Sequence, residues 1–575
     1  MRIATIQKEK CKPEMCNNLC AKICPVNKKD KECIIVKEKA EIDEELCIGC
    51  AICQNRCPFE AIDIINLPSV DKKNLVYRYG KNGFALYNLP VPKENAVLGL
   101  LGRNGIGKST AGEILSGKKK INFGQEEASD KEIKSFFQGT ESLRYFDSLK
   151  NKKIAYKPQN LSFLSVDLSA IELLKKRGTE KRIKELAKRL NVEYILENKL
   201  NKLSGGELQK IAIIAATLSE ADLYFFDEPL AYLDISERLR VSDYIKEIAA
   251  GKTVIVVEHD LLILDYLTEY LNIFYGQQGC FGFVSGVKSS KYGINSYLAG
   301  FLKEENLKIR DKALNFNFAK NKTTFGKKIA EWPDFNKKFE KFSLEVKSGE
   351  INQNNVIGIL GKNGTGKTTF VKCLAGLEEI EIQGKKKKLD LKLDISYKPQ
   401  YLFTDSEELV SDVIRKEKID KKIASTFNLE VLHLKKIKEL SGGELQRFSI
   451  ARCLSKPADI YLIDEPSAYL DVEERISVAR AIKDLMVEKE KTAFVVDHDL
   501  LLISYLADSI LVFTGESGKH GKSSEILGFE QGISQLLKEL NITLRKDKES
   551  GRPRINNKDS VLDREQKREN KWAMF

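Results

Sequence analysis

Short apolar runs, each followed by glycines or by acids, recur along the chain and predict buried strands. Residues 96–101 (AVLGLL) and 356–360 (VIGIL) lead into glycine-rich stretches, whereas residues 223–227 (LYFFD) and 460–464 (IYLID) end in an acid. Apolar runs of this length, bounded by turn residues, are typical of strands buried in a sheet. The pattern predicts an α/β fold in which the same arrangement occurs twice.

A single offset relates most of the repeated pattern. Ser204 and Ser441 are 237 residues apart, as are Asp227 and Asp464. Solenoid and propeller repeats have periods of about 20–50 residues. The offset therefore indicates a duplicated domain.

The first copy contains an insertion relative to the second. From the glycine-rich stretch to the next shared glutamine, the first copy spans 57 residues (Gly102 to Gln159) and the second spans 39 (Gly361 to Gln400). The difference is 18 residues, and we place the insertion at about residues 126–150.

The insertion has the pattern of two helices. Ser129 or Asp130 is a candidate N-cap of the first helix, and Leu143, Phe146 and Leu149 have helical spacing in the second. A helix–loop–helix protrusion on one copy only is a candidate contact with a partner. The alternative is a tolerated surface insertion.

The two glycine-rich stretches match the phosphate-loop pattern G-x-x-x-x-G-K-[ST]. Glycines allow backbone N–H groups to surround an anion at the start of a helix. We expect Lys108 and Lys367 to reach the β- and γ-phosphates of ATP, and Ser109 and Thr368 to bind Mg²⁺. The predicted loop residues are Gly102, Asn104, Gly105, Gly107, Lys108, Ser109, Thr110, Gly361, Asn363, Gly364, Gly366, Lys367, Thr368 and Thr369. Two ATP sites in one chain indicate a machine that closes and opens.

A pair of acids follows each of the second apolar runs. Asp227 and Asp464 suit the Mg²⁺ shell, and Glu228 and Glu465 are placed to polarise the attacking water. An acidic pair after a strand is a weak signal alone. When a phosphate loop precedes the acidic pair in both copies, the pair is a strong signal.

Composition indicates a folded protein of several domains. The chain has 575 residues, of which 42% are hydrophobic and 31% charged, and single cores rarely exceed about 250–300 residues. No apolar run approaches the roughly 18–20 residues that span a bilayer, and the N-terminus has no secretion signal. We therefore expect a cytoplasmic protein that is not itself a membrane transporter.

The net charge of +12 has two interpretations. It reflects either solvated surface lysines or attraction to a polyanion such as RNA. The run Lys385–Lys388 is more typical of a loop than of a binding site, so charge alone does not identify the partner.

Nine of the twelve cysteines precede residue 58. One run matches C-x₂-C-x₂-C-x₃-C-P, the bacterial ferredoxin pattern, and a second run with wider spacing also ends in Cys-Pro. In two-cluster ferredoxins the fourth cysteine of each run binds the other cluster. The predicted [4Fe–4S] ligand sets are Cys47, Cys50, Cys53 and Cys24 for one cluster, and Cys11, Cys16, Cys20 and Cys57 for the other.

Disulfides and zinc are the alternatives to clusters. No secretion signal supports an oxidising compartment, whereas eight cysteines could hold two zinc ions. Cys33 is left over as a buried neighbour, and Cys280, Cys373 and Cys453 are expected to pack in the cores. Because the chain has no other redox motif, a structural or coupling role for the clusters is favoured over electron transfer.

Further repeated motifs resemble those of the ABC-type ATPases. Both copies contain LSGGELQ (residues 203–209 and 440–446), together with YKPQ, AYLD and EHD or DHD. The resemblance implies that the signature of one copy caps the γ-phosphate held by the other, so that ATP joins the halves. It assigns Ser204, Gly205 and Gly206 to the nucleotide on Lys367, and Ser441, Gly442 and Gly443 to that on Lys108. It also makes Glu228 and Glu465 the catalytic acids, His259 and His498 switch histidines, Gln159 and Gln400 sensors of Mg²⁺ and water, and Asp234 and Asp471 parts of the nucleotide site.

In this family, adenine stacks on an aromatic residue that precedes the phosphate loop. Tyr79 and Phe84 fit this role in the first copy, and Trp332 and Phe342 in the second. Aromatic residues in such positions are also common in cores.

The whole combination resembles the ABC subfamily E, also called the RNase L inhibitor family. The resemblance includes residues 47–68, both LSGGELQ segments, and residues 293–310 and 552–570, which match the family's hinge segments. It implies a cytoplasmic, monomeric ribosome-recycling ATPase with two [4Fe–4S] clusters, ATP or ADP, and Mg²⁺.

The implied partners are the ribosome, mainly rRNA and protein of its small subunit, and a class-1 release factor or Pelota. Initiation factors are further candidates, and no membrane is involved. In the family, ATP-driven closure swings the iron–sulfur head against the factor and splits the ribosome. The protein then stays on the small subunit until hydrolysis, with the helix–loop–helix insertion as one contact.

The implied domains are a ferredoxin-like head (1–72), a first ABC domain (73–285), a hinge (286–320), a second ABC domain (321–525) and a second hinge (526–575). Two first-half residues depart from the family pattern: Lys210 replaces an arginine and Leu230 replaces a serine. The rival functions are an ABC-F-like translation factor, which lacks the cysteine head, an ATPase subunit of a permease, and an ATP-driven reductase.

Overall fold

The computed structural model describes residues 2–66, 74–125, 127–149, 152–164, 166–314, 326–400 and 405–574. The predicted domain boundaries at residues 72 and 320, and the predicted insertion ends at 126 and 150, lie outside those residues. Among the described helices, none is long and apolar enough to cross a bilayer.

The N-terminal part is a small α+β unit. Its elements are β1 (Arg2–Ile6), α1 (Pro13–Cys16), α2 (Leu19–Ile23), β2 (Ile34–Val36), β3 (Ala40–Ile42), α3 (Ile52–Arg56) and β4 (Ile62–Asn66). Strand β1 pairs antiparallel with β4, and β2 with β3. Alternate residues of β1 and β3, such as Ala4, Ile6 and Ile42, pack in one apolar core with the cysteines. The strands thereby hold both cysteine runs together.

The first half is an α/β domain around a twisted sheet. Its elements are β5 (Leu75–Arg78), β6 (Ala85–Tyr87), β7 (Ala96–Leu101), α4 (Lys108–Leu115), α5 (Asp130–Phe136), α6 (Glu141–Leu149), β8 (Ile154–Lys157), α7 (Ala170–Lys175), α8 (Glu180–Arg189), α9 (Gly205–Thr217), β9 (Leu223–Asp227), α10 (Ile235–Ala249), β10 (Thr253–Val257), α11 (Leu261–Leu267), β11 (Tyr270–Gln277), β12 (Phe281–Val284) and β13 (Lys288–Ser289). The strand order is β5-β6-β12-β11-β7-β10-β9-β8, with β13 beside β11. Strands β7, β10 and β9 are parallel and buried at every residue, which confirms the buried strands and the α/β class.

Two helices occupy the segment where the insertion is predicted. Helix α5 begins after a capping box on Ser129, and Gly139, with φ +77°, lies in the turn before α6. Phe137 and Tyr145 are buried, and the Tyr145 hydroxyl donates to the carbonyl of Leu115 over 2.6 Å. These contacts pack the two helices against the end of α4, so they are a fixed part of the first half.

A connecting segment leads to the second half, which repeats the α/β architecture. The connecting elements are α12 (Ser290–Ala299), β14 (Phe301–Leu302) and β15 (Leu307–Lys308). The second half contains β16 (Lys328–Trp332), β17 (Phe335–Lys338), β18 (Ser343–Val346), β19 (Gly349–Asn352), β20 (Val356–Gly361), α13 (Lys367–Leu374), β21 (Glu379–Ile382), β22 (Lys385–Lys388), β23 (Ile395–Lys398), α14 (Val410–Lys416), α15 (Lys421–Thr426), α16 (Gly442–Ser455), β24 (Ile460–Asp464), α17 (Val472–Glu488), β25 (Thr492–Val496), α18 (Leu500–Leu506), β26 (Ser509–Glu516), β27 (His520–Ser523) and β28 (Leu527–Gly528). Its strand order is β22-β21-β17-β18-β27-β26-β20-β25-β24-β23.

The prediction of a loop at Lys385–Lys388 was wrong. These residues form β22, an exposed edge strand in which Lys386 lies opposite Glu381 and Lys388 lies opposite Glu379. Opposite charges across the pair favour strand pairing, and lysines on an edge strand discourage pairing with other chains.

The C-terminal segment returns from the second half to the first. Its elements are α19 (Phe529–Leu540), β29 (Leu544–Lys546), β30 (Pro553–Ile555), α20 (Val561–Arg568) and β31 (Ala573–Met574). Arg552 and Arg554 both pair with the buried Asp265 of α11, at 3.0 Å and 2.5 Å. Asn295 of α12 donates to Asp547 over 3.0 Å. The two predicted hinge segments therefore meet each other at the joint between the halves.

Candidate functional site

Both phosphate loops have the shape that an anion requires. Gly107 and Gly366 have φ +97° and +95° and immediately precede α4 and α13. A side chain at Gly107 would also meet the Phe84 ring at 2.8 Å. Lys108 is buried, and its ammonium donates to the loop carbonyl of Gly102 over 2.7 Å. Burial lowers the pKa of Lys108 to about 8, so a bound phosphate anion would favour the charged ammonium.

In the first half, Asp227 is the last residue of β9 and Glu228 follows it, both near the phosphate loop. The Ser109 hydroxyl donates to Asp227 over 3.1 Å, and the Gln159 amide donates to Glu228 over 2.7 Å. His259 Nε2 lies 3.3 Å from Glu228 Oε1. Burial and the neighbouring Glu228 raise the pKa of Asp227 to about 6. Burial would also raise the pKa of Glu228, but His259 and Lys108 outweigh it and lower that pKa to about 2, so this carboxylate is ionised at neutral pH, as a general base must be.

The second half repeats this geometry. His498 Nε2 lies 3.5 Å from Glu465 Oε1, and hydrogen bonds from His498 and Gln400 help to lower the pKa of Glu465 to about 2 against the effect of burial. Both carboxylate oxygens of Asp464 are buried without a hydrogen bond of normal geometry, although Thr368 is close enough to lower its pKa. Burial and Glu465 outweigh Thr368 and raise that pKa to about 6. A buried, unpaired carboxylate beside a threonine hydroxyl fits a hard cation such as Mg²⁺.

The AYLD aspartates reach across to the opposite phosphate loop. Asp234 accepts the backbone N–H of Asn363 over 2.7 Å, and Asp471 accepts that of Asn104 over 3.1 Å. Each aspartate also caps its own helix, α10 or α17, with its other carboxylate oxygen. Each phosphate loop is therefore completed by a residue of the other half.

The signature segments lie at helix starts facing this interface. Ser204 and Ser441 are the N-caps of α9 and α16, each in a capping box with the glutamate of LSGGE. Their predicted approach to the opposite nucleotide stays a prediction. Next to them, Tyr232 and Tyr469, which are 237 positions apart, meet with hydroxyls 3.3 Å apart.

The predicted adenine aromatics of the first half lie together. The rings of Tyr79 and Phe84 are 6.5 Å apart, and Phe84 lies against Gly107. The Tyr79 hydroxyl is 3.1 Å from that of Thr110, and the Lys119 ammonium lies 4.3 Å from the Tyr79 ring. Tyr79 is 41% exposed, so its ring is available for stacking.

In the second half, the prediction for Trp332 was wrong. Trp332 is 1% exposed and packs on Phe370 and Phe494 in the core. Phe342 lies against Gly366 as Phe84 lies against Gly107. Its partner is Phe339, whose ring is 6.4 Å away and which is 45% exposed. Sequence analysis missed Phe339, although its place in the turn between β17 and β18 matches that of Tyr79 after β5.

The two first-half departures have different surroundings. The buried Lys210 pairs with Glu237 over 2.8 Å, whereas Arg447 contacts Glu474 over 3.4 Å. Leu230 is buried and has no side-chain hydroxyl. It therefore donates only its backbone N–H to Glu258.

The carboxylate that precedes His259 or His498 in the chain has different partners in the two halves. In the second half, Asp497 accepts both the N–H and the hydroxyl of Ser467, over 3.0 and 2.7 Å. Glu258 has no such hydroxyl. Burial raises the pKa of both carboxylates: that of Glu258 to about 7, with a contribution from Glu228, and that of Asp497 with a contribution from Asp499. The two sites are therefore not chemically equivalent.

One predicted cluster set surrounds a cavity in the N-terminal unit. Cys24, Cys47, Cys50 and Cys53 line it together with Cys33, Pro25, Val26, Ile34, Ile48, Ala51 and Ile64. Five thiols line this apolar cavity, and the four of the predicted set fit an iron–sulfur cluster. The cavity unites Cys24 of the first run with three cysteines of the second, as the exchange of fourth ligands requires.

The other predicted set stays a prediction. Burial raises the pKa of Cys20 to about 11, and the charges of Cys16, Cys11 and Cys57 contribute in the same direction. Cys33 is 1% exposed and raised in pKa to about 12, mainly by burial and then by its neighbours Cys24 and Cys47. Cys280, Cys373 and Cys453 are buried in the two halves, as predicted.

Two family models match the chain. The ABC transporter model matches residues 90–231 and 344–468, and the 4Fe-4S binding domain model matches residues 40–63. An uncharacterized ABC transporter ATP-binding protein of Methanocaldococcus jannaschii is 42% identical over 100% of this chain and 97% of its own length. ABC transporter E family member 1 of Arabidopsis thaliana is 41% identical (98% and 97%), and translation initiation factor RLI1 of Saccharomyces cerevisiae is 40% identical (98% and 97%).

Two solved structures have the same architecture. An archaeal ABCE1 in a model with ribosome-bound Pelota is 43% identical, with a TM-score of 0.94, and the match covers 100% of this chain and 99% of that one. An archaeal ribosome recycling factor, aABCE1, in complex with the ribosomal stalk protein aP1, is 42% identical, with a TM-score of 0.82 and coverage of 88% and 100%.

Proposed function

Because this chain belongs to the ABC E family of twin-domain ATPases, we propose that it is an ATP-driven ribosome recycling factor. It splits ribosomes after termination or stalling, together with a class-1 release factor or Pelota, and remains on the small subunit until hydrolysis. Relatives described as a ribosome recycling factor, as bound to the ribosome with Pelota, and as a translation initiation factor support this proposal. It acts in the cytoplasm, where ribosomes are.

One observation carries the mechanical part of the proposal. Asp234 and Asp471 each bind the phosphate loop of the opposite half. Any movement of the halves therefore changes both ATP sites at once. The buried joint of Asp265 with Arg552 and Arg554 is the pivot. The alternative of an ABC-F-like factor is disfavoured because the match includes the cysteine-rich head.

At each site, we propose a division of labour among the residues near the phosphate loop. Lys108 and Lys367 would hold the phosphates, and Ser109, Thr368, Asp227 and Asp464 would hold Mg²⁺, which when bound would neutralise charge on the transferred phosphoryl group. Glu228 and Glu465 accept a proton from the attacking water, and His259 and His498 orient these carboxylates. Gln159 and Gln400 hold the water and the metal shell, and the signature residues Ser204 to Gly206 and Ser441 to Gly443 close over the opposite nucleotide. The five-part domain division stated above is part of the same proposal.

We propose that the head holds two [4Fe–4S] clusters with the crossed ligand sets. The cavity shared by Cys24 and the run from Cys47 to Cys53 supports the first set, and the electrostatic influence of Cys16, Cys11 and Cys57 on the Cys20 thiol supports the second. A cluster bridges segments far apart in sequence, so it stabilises a head whose own core is small.

Iron content tests the number of clusters. Protein purified without oxygen is expected to hold about eight iron atoms per chain. Cys24→Ser removes one ligand of one cluster and is expected to leave about four. Elemental analysis measures both values. Cys453→Ala, which changes a buried cysteine in the second half, is the matched control. Zinc in place of iron, or unchanged iron in Cys24→Ser, contradicts the assignment.

The adenine assignment is tested at Tyr79. Loss of base stacking costs about 1–3 kcal/mol, so Tyr79→Ala is expected to weaken ATP binding at the first site by about five- to a hundredfold. Phe339→Ala is expected to do the same at the second site. Titration calorimetry measures both affinities. Tyr79→Phe keeps the ring and should change the affinity by less than about threefold; a loss as large as that of Tyr79→Ala would show that the hydroxyl, not the ring, matters.

Binding to ribosomal subunits tests the proposed partner. Purified protein with a nonhydrolysable ATP analogue is expected to co-sediment with purified small subunits, and much less with large subunits. With ADP the binding should be lost, because the halves are then no longer held closed. Equal binding to both subunits, or binding to small subunits that is the same with the ATP analogue and with ADP, contradicts the proposal.

A further inference from the structure

A buried lysine lies beneath the catalytic acids of each half. Lys157 and Lys398 are the last residues of β8 and β23, and each is 1% exposed. Burying an ammonium is costly unless it is hydrogen-bonded. An apolar side chain could fill the same space, so a lysine at both places indicates a need for its hydrogen bonds.

Each lysine binds the backbone of the acid pair. The Lys157 ammonium donates to the carbonyls of Asp227 and Glu228, over 2.7 and 3.0 Å. The Lys398 ammonium donates to those of Asp464 and Glu465, over 2.7 and 3.3 Å. The contact is therefore the same in both halves.

The backbone held in this way is strained. Glu228 and Glu465 have φ +45° and +48°, in the left-handed region that side chains of this size rarely adopt. Such conformations persist only where their surroundings hold them, and they cluster at active sites. The left-handed turn takes the chain away from the end of the strand while the glutamate side chain faces its glutamine and histidine partners.

The same lysine is tied to the sensor glutamine. In both halves the sequence is Lys-Pro-Gln, so one proline, with its fixed φ, separates the anchored lysine from Gln159 or Gln400. The Gln159 amide then donates to the carboxylate of Glu228 over 2.7 Å. The lysine therefore holds the backbone of the glutamate and, through the intervening proline, the backbone next to the glutamine.

From these contacts we infer that Lys157 and Lys398 are positioning residues for ATP hydrolysis. Each holds the left-handed peptide of Glu228 or Glu465, and thereby aims the carboxylate at the place of the attacking water. Neither is expected to touch the nucleotide. The inference rests on the proposed role of Glu228 and Glu465 as general bases.

The first site is the cleaner test, because at the second site the carbonyl of Glu465 also accepts from Gln446. In a Glu465→Gln background, only the first site hydrolyses ATP. There, Lys157→Met is expected to lower the turnover number about ten- to a hundredfold, since small displacements of a catalytic group have effects of this size. The dissociation constant for ATP should change by less than about twofold. In a variant that already carries Glu228→Gln and Glu465→Gln, the further change Lys157→Met should not lower the residual turnover.

The control is Lys288→Met, which removes a buried lysine of β13 that lies outside the phosphate-loop region and pairs with Glu304 and Glu305. It should leave the turnover of the first site within about twofold. If Lys157→Met does not fold, Lys398→Met in a Glu228→Gln background is subject to the same criteria. Turnover within twofold of the parent, or a loss of ATP affinity as large as the loss of turnover, overturns the inference. If Glu228→Gln itself leaves turnover unchanged, the proposed general base fails instead.

Discussion

Replacing both catalytic glutamates is expected to abolish ATP hydrolysis and to trap the protein on the small subunit. Glu228→Gln with Glu465→Gln removes the two general bases, and such a loss typically costs about 10²–10⁴-fold in rate. Glutamine keeps the shape of the side chain and a hydrogen-bond acceptor for the nearby histidine, so ATP binding and closure should persist. Steady-state ATPase assays and co-sedimentation with small subunits measure the two effects.

The single variants serve as internal controls for this result. Because each site needs residues of both halves, a single change should slow one site and also alter the turnover of the other. The two sites should not respond equally, since only the first lacks a serine hydroxyl that donates to the carboxylate preceding the histidine. A double variant that hydrolyses ATP within tenfold of wild type, or that leaves small subunits freely, contradicts the assignment of the catalytic acids.

Breaking the buried joint between the halves is expected to destabilise the protein strongly. Asp265 is 3% exposed and pairs with Arg552 and Arg554. Asp265→Ala leaves the buried Arg552 without a carboxylate and leaves Arg554 only its longer contact with Asp547, and removing one partner of a buried ion pair costs about 3–5 kcal/mol in free energy of unfolding. Because the joint connects the C-terminal segment to the first half, cooperative unfolding of the two halves should be lost as well. Chemical denaturation followed by fluorescence measures both effects.

Asp412→Ala is the matched control for the joint. Asp412 pairs with Arg415 on the exposed side of α14, 2.7 Å apart, and exposed pairs contribute about 0–1 kcal/mol. Its loss should change the stability only slightly. If Asp265→Ala is no more destabilising than Asp412→Ala, the joint is not the pivot of the two halves.

Much of the fold followed from short-range patterns in the sequence. The apolar runs at residues 96–101 and 356–360 are fully buried strands because parallel sheets covered on both faces need continuous apolar residues. Ser129 begins a helix because its hydroxyl and the glutamate three positions later form a capping box. The phosphate loops could be located because their glycines are required by geometry, not by packing.

What the sequence did not predict depends on packing between distant segments. Trp332 was predicted to stack on adenine. Instead it packs in the core, because burying its large apolar ring against Phe370 and Phe494 is more favourable. Phe339 was missed because only the turn between β17 and β18 brings it beside Phe342. The role inferred for Lys157 could not be predicted either, since its partners are backbone carbonyls on a neighbouring strand.

Sucrose-gradient sedimentation of whole ribosomes tests the central claim most directly. Ribosomes are incubated with this protein, a release factor or Pelota, and ATP. The account predicts that the whole-ribosome peak is converted to separate subunits, with the protein on the small subunit. Conversion should fail without the partner factor, because the closing protein then does not contact a factor on the ribosome. It should also fail without ATP, because ATP binding drives closure. Intact ribosomes, although the protein holds iron and hydrolyses ATP, would contradict the account.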